Sequence, residues 1–332
     1  MKALFLCLCL TLAILPAHAS DFYRGKQIEL MVPTNPGGST DVEARLMGDF
    51  LKRHIPGNPD IHVVSRAGAG GLILLNHMLQ NAIPNGLTVG YAAGLYESYL
   101  ISTKGLLGDP ETLVKIAHFS SRQSCYTNTK TLSDPAKFLE VPHIWSAGMN
   151  PRISPDIRVR LALDILGVNY THVPGFRSLA DARVAVLQNT VQFACEADAA
   201  FTSGIRSDPE TYLPLFTFLE GDDGLPDFAD YHRQLRGRAP SGDKWEALQD
   251  VSDLGLLSRA LVLPEGSPPE AVAALKLGVA RMVEDAQFQA MAKTLTGRAM
   301  IPVPESSVRD ISMRLRGAEK TRRTLGQYFK GQ

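Results

Sequence analysis

The chain is poor in cysteine, balanced in charge and nearly free of long apolar runs. Of its 332 residues only four are cysteine, and two of these, Cys7 and Cys9, fall within the first ten positions. A disulfide-rich scaffold is thereby excluded. Lysine plus arginine and aspartate plus glutamate number 34 each, so the basic excess of a nucleic-acid binder is missing. No stretch reaches the roughly 18 uncharged apolar residues of a membrane span. Enzyme signatures are missing as well. Gly68-Ala69-Gly70 opens like a dinucleotide fingerprint, but Ile73 stands where the third glycine belongs. There is no G-x-x-x-x-G-K-S/T, no H-E-x-x-H and no G-x-S-x-G. Ser39 follows two glycines yet precedes Thr40 and Asp41, which makes no nucleophile elbow. The eight histidines are scattered, none at metal-ligand spacing from another or from cysteine. No catalytic residue, metal site or cofactor is assigned, and the chain is read as a non-enzyme.

One apolar run is present at the start. Ala3 to Leu15 is a 13-residue uncharged stretch, preceded by Lys2 and followed by the small-x-small triplet Ala17-His18-Ala19. As a helix it would cover roughly 20 Å, short of a ~30 Å bilayer core. It reads as a secretory signal peptide over residues 1–19, with a soluble exported chain beginning near Ser20. About 313 residues then remain, enough for two domains. Cys125 and Cys195 survive processing. An even pair in an oxidising compartment invites a disulfide; two buried thiols packed in separate strands is the alternative.

The most informative stretch is Val32-Pro33-Thr34-Asn35-Pro36-Gly37-Gly38-Ser39-Thr40-Asp41. Ile28 to Val32 is apolar and stopped by Pro33, as a buried strand would be. Val42, Leu46, Met47, Phe50 and Leu51 then recur at helical spacing, with Ser39, Thr40 or Asp41 as N-cap choices. Glycine lets backbone N–H groups approach a ligand, and a helix start supplies unpaired donors and partial positive charge. The combination makes an anion cradle, most naturally for a carboxylate. A second loop of the same kind, Ser65-Arg66-Ala67-Gly68-Ala69-Gly70-Gly71, follows the strand Ile61 to Val64 and opens a helix through Leu72, Leu75, Met78 and Leu79. Pro84-Asn85-Gly86 turns into the strand Leu87 to Tyr91. Both glycine loops thus lie at carboxyl ends of strands, where open parallel sheets bind ligands.

The α/β alternation continues. Strands are expected at Leu113–Phe119, Ser124–Asn128, His143–Ser146, Tyr170–Val173, Val191–Cys195 and Leu261–Leu263. Helices are expected over residues 154–166, Leu179–Leu187, from Pro268 onward, and from Glu305 to Phe329. Residues 220–245 carry acids and then arginines among glycine and proline, and read as a solvated loop with a short helix.

These motifs resemble those of the Bug family, the periplasmic substrate-binding receptors of tripartite tricarboxylate transporters. Its V-P-x-x-P-G-G-x-x-D hallmark is matched from Val32 to Asp41 and followed by Ala44-Arg45-Leu46. Its N-R-x-G-A-G-G loop is matched from Arg66 to Gly71, with Ser65 in place of asparagine. Its P-x-G-x-T-L/V turn is matched from Pro84 to Val89. Thr171 to Pro174 matches a strand before the second-domain ligand loop, and Leu263 to Pro268 resembles A-P-A-G-T-P. The departures fall mostly beyond residue 170: Gly175-Phe176-Arg177 replaces Y-K-G, and Gln188 to Gln192 replaces G-G-Q-V-D.

The resemblance implies a two-lobed type II periplasmic binding fold, two α/β domains joined by crossover strands that close on a ligand. Residues 20–120 and 261–332 are then the first lobe and 121–260 the second. It also implies a ligand set: Thr34, Asn35, Gly38, Ser39, Thr40 and Asp41 from the first loop, Ala69 and Gly70 from the second, and Ser146, Ala147 and Gly148 from the second lobe. Arg177 either meets a second carboxylate of the ligand as a bidentate donor or stands as a surface residue. The implied partners are a small organic carboxylate and two membrane transporter subunits, with no nucleic acid, and a periplasmic monomer is expected. The alternative is an orphan extracytoplasmic sensor that passes occupancy to a sensor kinase.

Overall fold

The computed structural model describes residues 21–101, 104–219 and 224–329. The expected signal peptide with Cys7 and Cys9, and residues 220–223 of the acidic stretch, lie outside them. The chain begins with β1 (Gln27–Val32), α1 (Ser39–His54), β2 (Asp60–Ser65), α2 (Leu72–Gln80), β3 (Thr88–Ala93) and, after an irregular connection, β4 (Val114–Phe119). β1 lies between β2 and β3, parallel to both. The apolar residues that suggested these elements do the packing. Ile28 and Leu30 of β1 are buried against Ala44, Met47 and Phe50 of α1 in one core. Gly48 keeps that helix close, since a Cβ there would lie 3.4 Å from Ile61 Cγ2 of β2.

The chain then crosses to a second sheet. It forms β5 (Gln123–Asn128), β6 (Ile144–Ala147), α3 (Ser154–Leu166), β7 (Tyr170–Val173), α4 (Leu179–Leu187) and β8 (Phe193–Ala197). A short α5 (Asp198–Phe201), continued as a wide turn to Arg206, leads to β9 (Tyr212–Thr217), α6 (Phe228–Arg236) and α7 (Asp243–Leu256). It returns as β10 (Arg259–Leu263), α8 (Pro269–Glu284), α9 (Ala286–Thr296), α10 (Glu305–Gly317) and α11 (Glu319–Gly326). The strand orders are β2-β1-β3-β10-β4 and β7-β6-β8-β5-β9. The two lobes therefore share one plan. Three parallel strands come first, then an antiparallel strand from a segment that has just crossed between lobes, then an outer strand. The crossing segments touch each other, with Ser121 N donating to Gly255 O at 2.8 Å. This is the expected mixed α/β, two-lobed fold.

Cys125 and Cys195 face each other directly across β5 and β8, and their sulfurs are bonded. Both cysteines are buried.

The tail departs from the expected division. α8 and α9 pack on α1 of the first lobe, but α11 packs on α7 of the second. Leu315 and Leu325 join an apolar cluster with Leu248, Val251 and Leu254 of α7. Arg314 pairs with Asp250 and Asp253, and Lys320 lies 2.7 Å from Glu246. The same segment also holds the first lobe: Lys276 meets Glu305 at 3.0 Å, and Arg322 donates to Tyr99 O at 3.0 Å. Its two apolar anchors are fully buried in that cluster. The single helix expected over 305–329 is broken at Ala318, whose φ of −78° and ψ of 59° are not helical.

Candidate ligand cleft

On the first lobe, both glycine loops stand at the carboxyl ends of their strands. Gly38 occupies the N-cap of α1, so Ser39, Thr40 and Asp41 fall in its first turn and no cap side chain covers its amides. Asp41 is buried and reaches back to accept from Gly37 N at 2.9 Å. Both its oxygens also take Arg45, at 2.9 Å each. Its charge is thus spent on shaping the loop and is not offered to a ligand. Thr40 is buried too, whereas Asn35 is exposed and Thr34 and Ser39 are half-buried. Ser65 Oγ donates to Thr34 O at 2.7 Å and ties the two loops together.

The second loop is built on left-handed backbone. Gly70 and Gly71 have φ of 67° and 99°, and Ala69, with a side chain, is held at 48°. Such a conformation costs an alanine on the order of 1–3 kcal/mol and persists only where its surroundings impose it. Ala69 and Gly70 are exposed, and α2 starts from Gly71 again without a side-chain cap. The two loops therefore present uncapped helix starts side by side.

The second lobe is different in kind. Ser146 and Ala147 end β6, Gly148 follows, and all three are buried. Ser146 Oγ lies 3.0 Å from His172 Nδ1, and His172 Nε2 lies 3.2 Å from Asp156 Oδ2. Gly148 lies against this row, since a Cβ there would stand 2.2 Å from Asp156 Oδ2 and 2.4 Å from His172 Nε2. A serine, a histidine and an aspartate in line resemble a hydrolase triad, but Ser146 is 0% exposed, so its hydroxyl is closed off in this conformation. The row locks the start of α3 to the sheet. Arg177 is not engaged with this row: its side chain is 92% exposed, 3.7 Å from Asp181 four residues on.

Several residues that sequence reading did not single out join the lobes. Asp198 at the start of α5 accepts from Arg122 Nε at 3.0 Å and from Arg298 Nε of the first lobe at 2.6 Å. Ala200 N donates to Ser39 Oγ at 3.4 Å. Glu97, just after β3, receives Ser154 Oγ and, at 3.2 Å, Ser154 N at the start of α3. A Cβ on Gly70 would lie 3.3 Å from Ile153 of the second lobe. The lobes are thus in direct contact across the cleft. Burial raises the pKa of the Glu97 carboxyl, only partly offset by Ser154 and Arg158. Burial likewise raises Glu43 on the inner side of α1, against the pull of Arg259 and Arg298. Nothing local in the sequence marks these residues, because each partner lies dozens of positions away. Among the described residues no group of three His, Cys, Asp or Glu is placed to hold a metal.

A fold of two like α/β lobes joined by crossing strands, with glycine loops facing the gap, is that of periplasmic binding proteins. No protein-family model matches the chain. A UPF0065 protein from the TAR-I ttuE-ttuC' intergenic region of Agrobacterium vitis is 26% identical over 243 residues, covering 68% of this chain and 67% of that one. BugT of Bordetella pertussis is 43% identical over 63 residues, 19% of each chain. Among solved structures, an R. palustris protein with adipate superposes with a TM-score of 0.71 at 18% identity, over 91% of this chain and 97% of the other. The periplasmic binding protein BugD gives 0.68 at 17% identity, over 92% and 98%. MatC from Rhodopseudomonas palustris with bound malate gives 0.64 at 20% identity, over 88% and 98%. The chain is thus similar in sequence to UPF0065 and Bug proteins and in fold to BugD, a likeness its loop motifs also suggested.

Proposed function

We propose that this protein is a periplasmic receptor that captures a small organic carboxylate between its lobes and delivers it to a membrane transporter, without transforming it chemically. The observation that carries this reading is the pair of uncapped helix starts at Gly38 and Gly71, the first preceded by left-handed Gly37 and the second built on left-handed Gly70 and Gly71, both at the carboxyl ends of their strands. Such a surface offers several backbone N–H donors and the positive ends of two helices to one anion. The structural neighbours crystallised with adipate and malate support a carboxylate as that anion. In this reading Thr34, Asn35, Gly38, Ser39, Ala69 and Gly70 contact the ligand, and the contacts from Asp198, Ala200 and Ser154 hold the lobes together around it. The receptor is proposed to act as a monomer beside two membrane subunits.

Isothermal titration calorimetry against a panel of small carboxylates tests it. Gly38→Val should abolish binding, because a Cβ there already comes to 3.1 Å from Thr34 Cβ and 3.2 Å from Asn35 O. Ser39→Ala should weaken binding by about 0.5–1.5 kcal/mol, the net worth of one neutral hydrogen bond. Unchanged affinity in both variants would remove this loop from the site.

A further inference from the structure

We propose that Glu97 is a built-in second carboxylate that fills the distal anion position of the cleft, so that this receptor selects ligands with a single carboxylate. The inference rests on the carboxylate-receptor reading above and sharpens it to a ligand class.

Glu97 belongs to the first lobe, yet its carboxylate sits at the start of α3 in the second, where it accepts from both the amide and the hydroxyl of Ser154. α3 spans 13 residues, and Ile153 at its N-cap offers no side-chain oxygen to its amides. The positive end of this helix is therefore satisfied by a carboxylate reaching across from the opposite lobe, which is how a ligand's far carboxylate would be held.

A second observation points to an anion at the same place. Arg158 lies one helical turn beyond Ser154 on the same face of α3. It is 4% exposed, and its Nε and Nη1 have no hydrogen-bond partner. A guanidinium in that state is costly to bury unless an anion stands nearby. Its favourable electrostatic partner is Glu97, while the nearby Arg259 opposes it; burial brings the Arg158 pKa down to about 10. Glu97 thus stands where the helix start and an under-bonded arginine would otherwise receive a ligand.

A dicarboxylate closing into this cleft would bring its far charge against that of Glu97. A monocarboxylate would meet the first-lobe loops with its charged end and leave Glu97 undisturbed. Removing the Glu97 charge should free the Ser154 amide and hydroxyl and leave Arg158 without its anionic neighbour.

Calorimetry on the purified full-length mature protein with butanoate, pentanoate and hexanoate, each against the dicarboxylate of the same length, decides the matter. The wild type should bind each monocarboxylate more tightly than its dicarboxylate. Glu97→Gln, which keeps the shape and an acceptor for Ser154, should raise the dicarboxylate-to-monocarboxylate affinity ratio tenfold or more. Glu97→Ala should raise it further, with circular dichroism checking that both variants are folded. A wild type that favours dicarboxylates, or a ratio unmoved in folded Glu97→Gln, would overturn the proposal while leaving the receptor reading intact. If neither wild type nor variant binds any acid of the panel, the receptor reading falls and this inference falls with it.

Discussion

On the first lobe the glycine loops present backbone, with left-handed glycines and two helix starts without a capping side chain, while the side chains of Ser39, Glu97 and Arg298 reach across. On the second lobe it is faced by side chains already engaged with one another. Ser146, His172 and Asp156 are bonded in a row, Glu196 is enclosed by Arg183 and Tyr126, and Ser154 is taken by Glu97. Backbone donors can serve any carboxylate, because they carry no side-chain identity. Engaged side chains set the shape and charge of what remains. On the proposed reading the general part of recognition lies with the first-lobe glycine loops, and the selective part with the second-lobe face and the Glu97 that reaches it.

The sharpest way to test how far the second lobe depends on its internal bonds is to remove the covalent one. The Cys125–Cys195 bond spans 70 residues of sequence, for which loop-closure entropy alone gives about 4 kcal/mol as an upper figure. Replacing both cysteines by serine should lower stability by up to that amount in guanidinium unfolding under oxidising conditions. An unmoved midpoint would show that the bond adds nothing to the lobe.

A smaller effect separates the lobes by pH. Burial pushes the Glu196 carboxyl up to about 7 from 4.5, against the pull of Arg183 and Tyr126. Between those values the folded chain holds a proton that the unfolded chain has lost. The group's contribution is therefore full below about 4.5 and declines as pH rises to about 7, by on the order of 3 kcal/mol. His118 of the first lobe runs the other way, because burial lowers it to about 4 from 6.5. There the unfolded chain takes the proton, and stability rises with pH across that interval. The two trends largely offset each other over their shared range. Glu196→Gln should remove only the declining one, leaving stability that climbs more steeply with pH. Urea unfolding at a series of pH values checks this; a wild-type-minus-variant difference that is flat with pH would mean Glu196 takes up its proton alike in the folded and unfolded chain.

Gly148→Ala is the mildest of these changes. The added Cβ would overlap Asp156 and His172, and overpacking of this kind costs about 1–3 kcal/mol. The His172 ring resonances should move in NMR spectra as the row opens. Unmoved resonances would mean that the loop yields instead.

What was legible in the sequence follows the same divide. The first-lobe loops could be read because their information is local: a strand stopped by Pro33, a Gly37-Gly38 pair and a helical repeat lie within twenty residues. The alternation of strands and helices was legible for the same reason, and it fixes the α/β class. The second lobe was harder to read. Ser146, Ala147 and Gly148 looked like an open small-residue loop, yet His172 and Asp156, about ten to twenty-five positions away, bury them. Arg177 follows a strand end as a ligand residue would, but it lies near the start of α4 and its exposed side chain meets Asp181. Glu97 carries no motif, and only the folded chain brings it to Ser154, 57 positions on. Polar pairs of long separation leave no periodic trace in a single sequence.

The tail that ends on the second lobe changes how the molecule can move. Two crossing segments alone would act as a spine about which the halves swing like covers. Here α10 and α11 form a strap whose anchors alternate along it, Arg314 and Lys320 to Asp250, Asp253 and Glu246 of the second lobe, Arg316 and Arg322 to Glu111 and Tyr99 of the first. Any swing of the covers must stretch or slide that strap. The apparent affinity of a receptor scales with the fraction of molecules poised to bind. On the proposed reading, the affinity of the cleft is therefore set in part by a buckle outside the glycine loops.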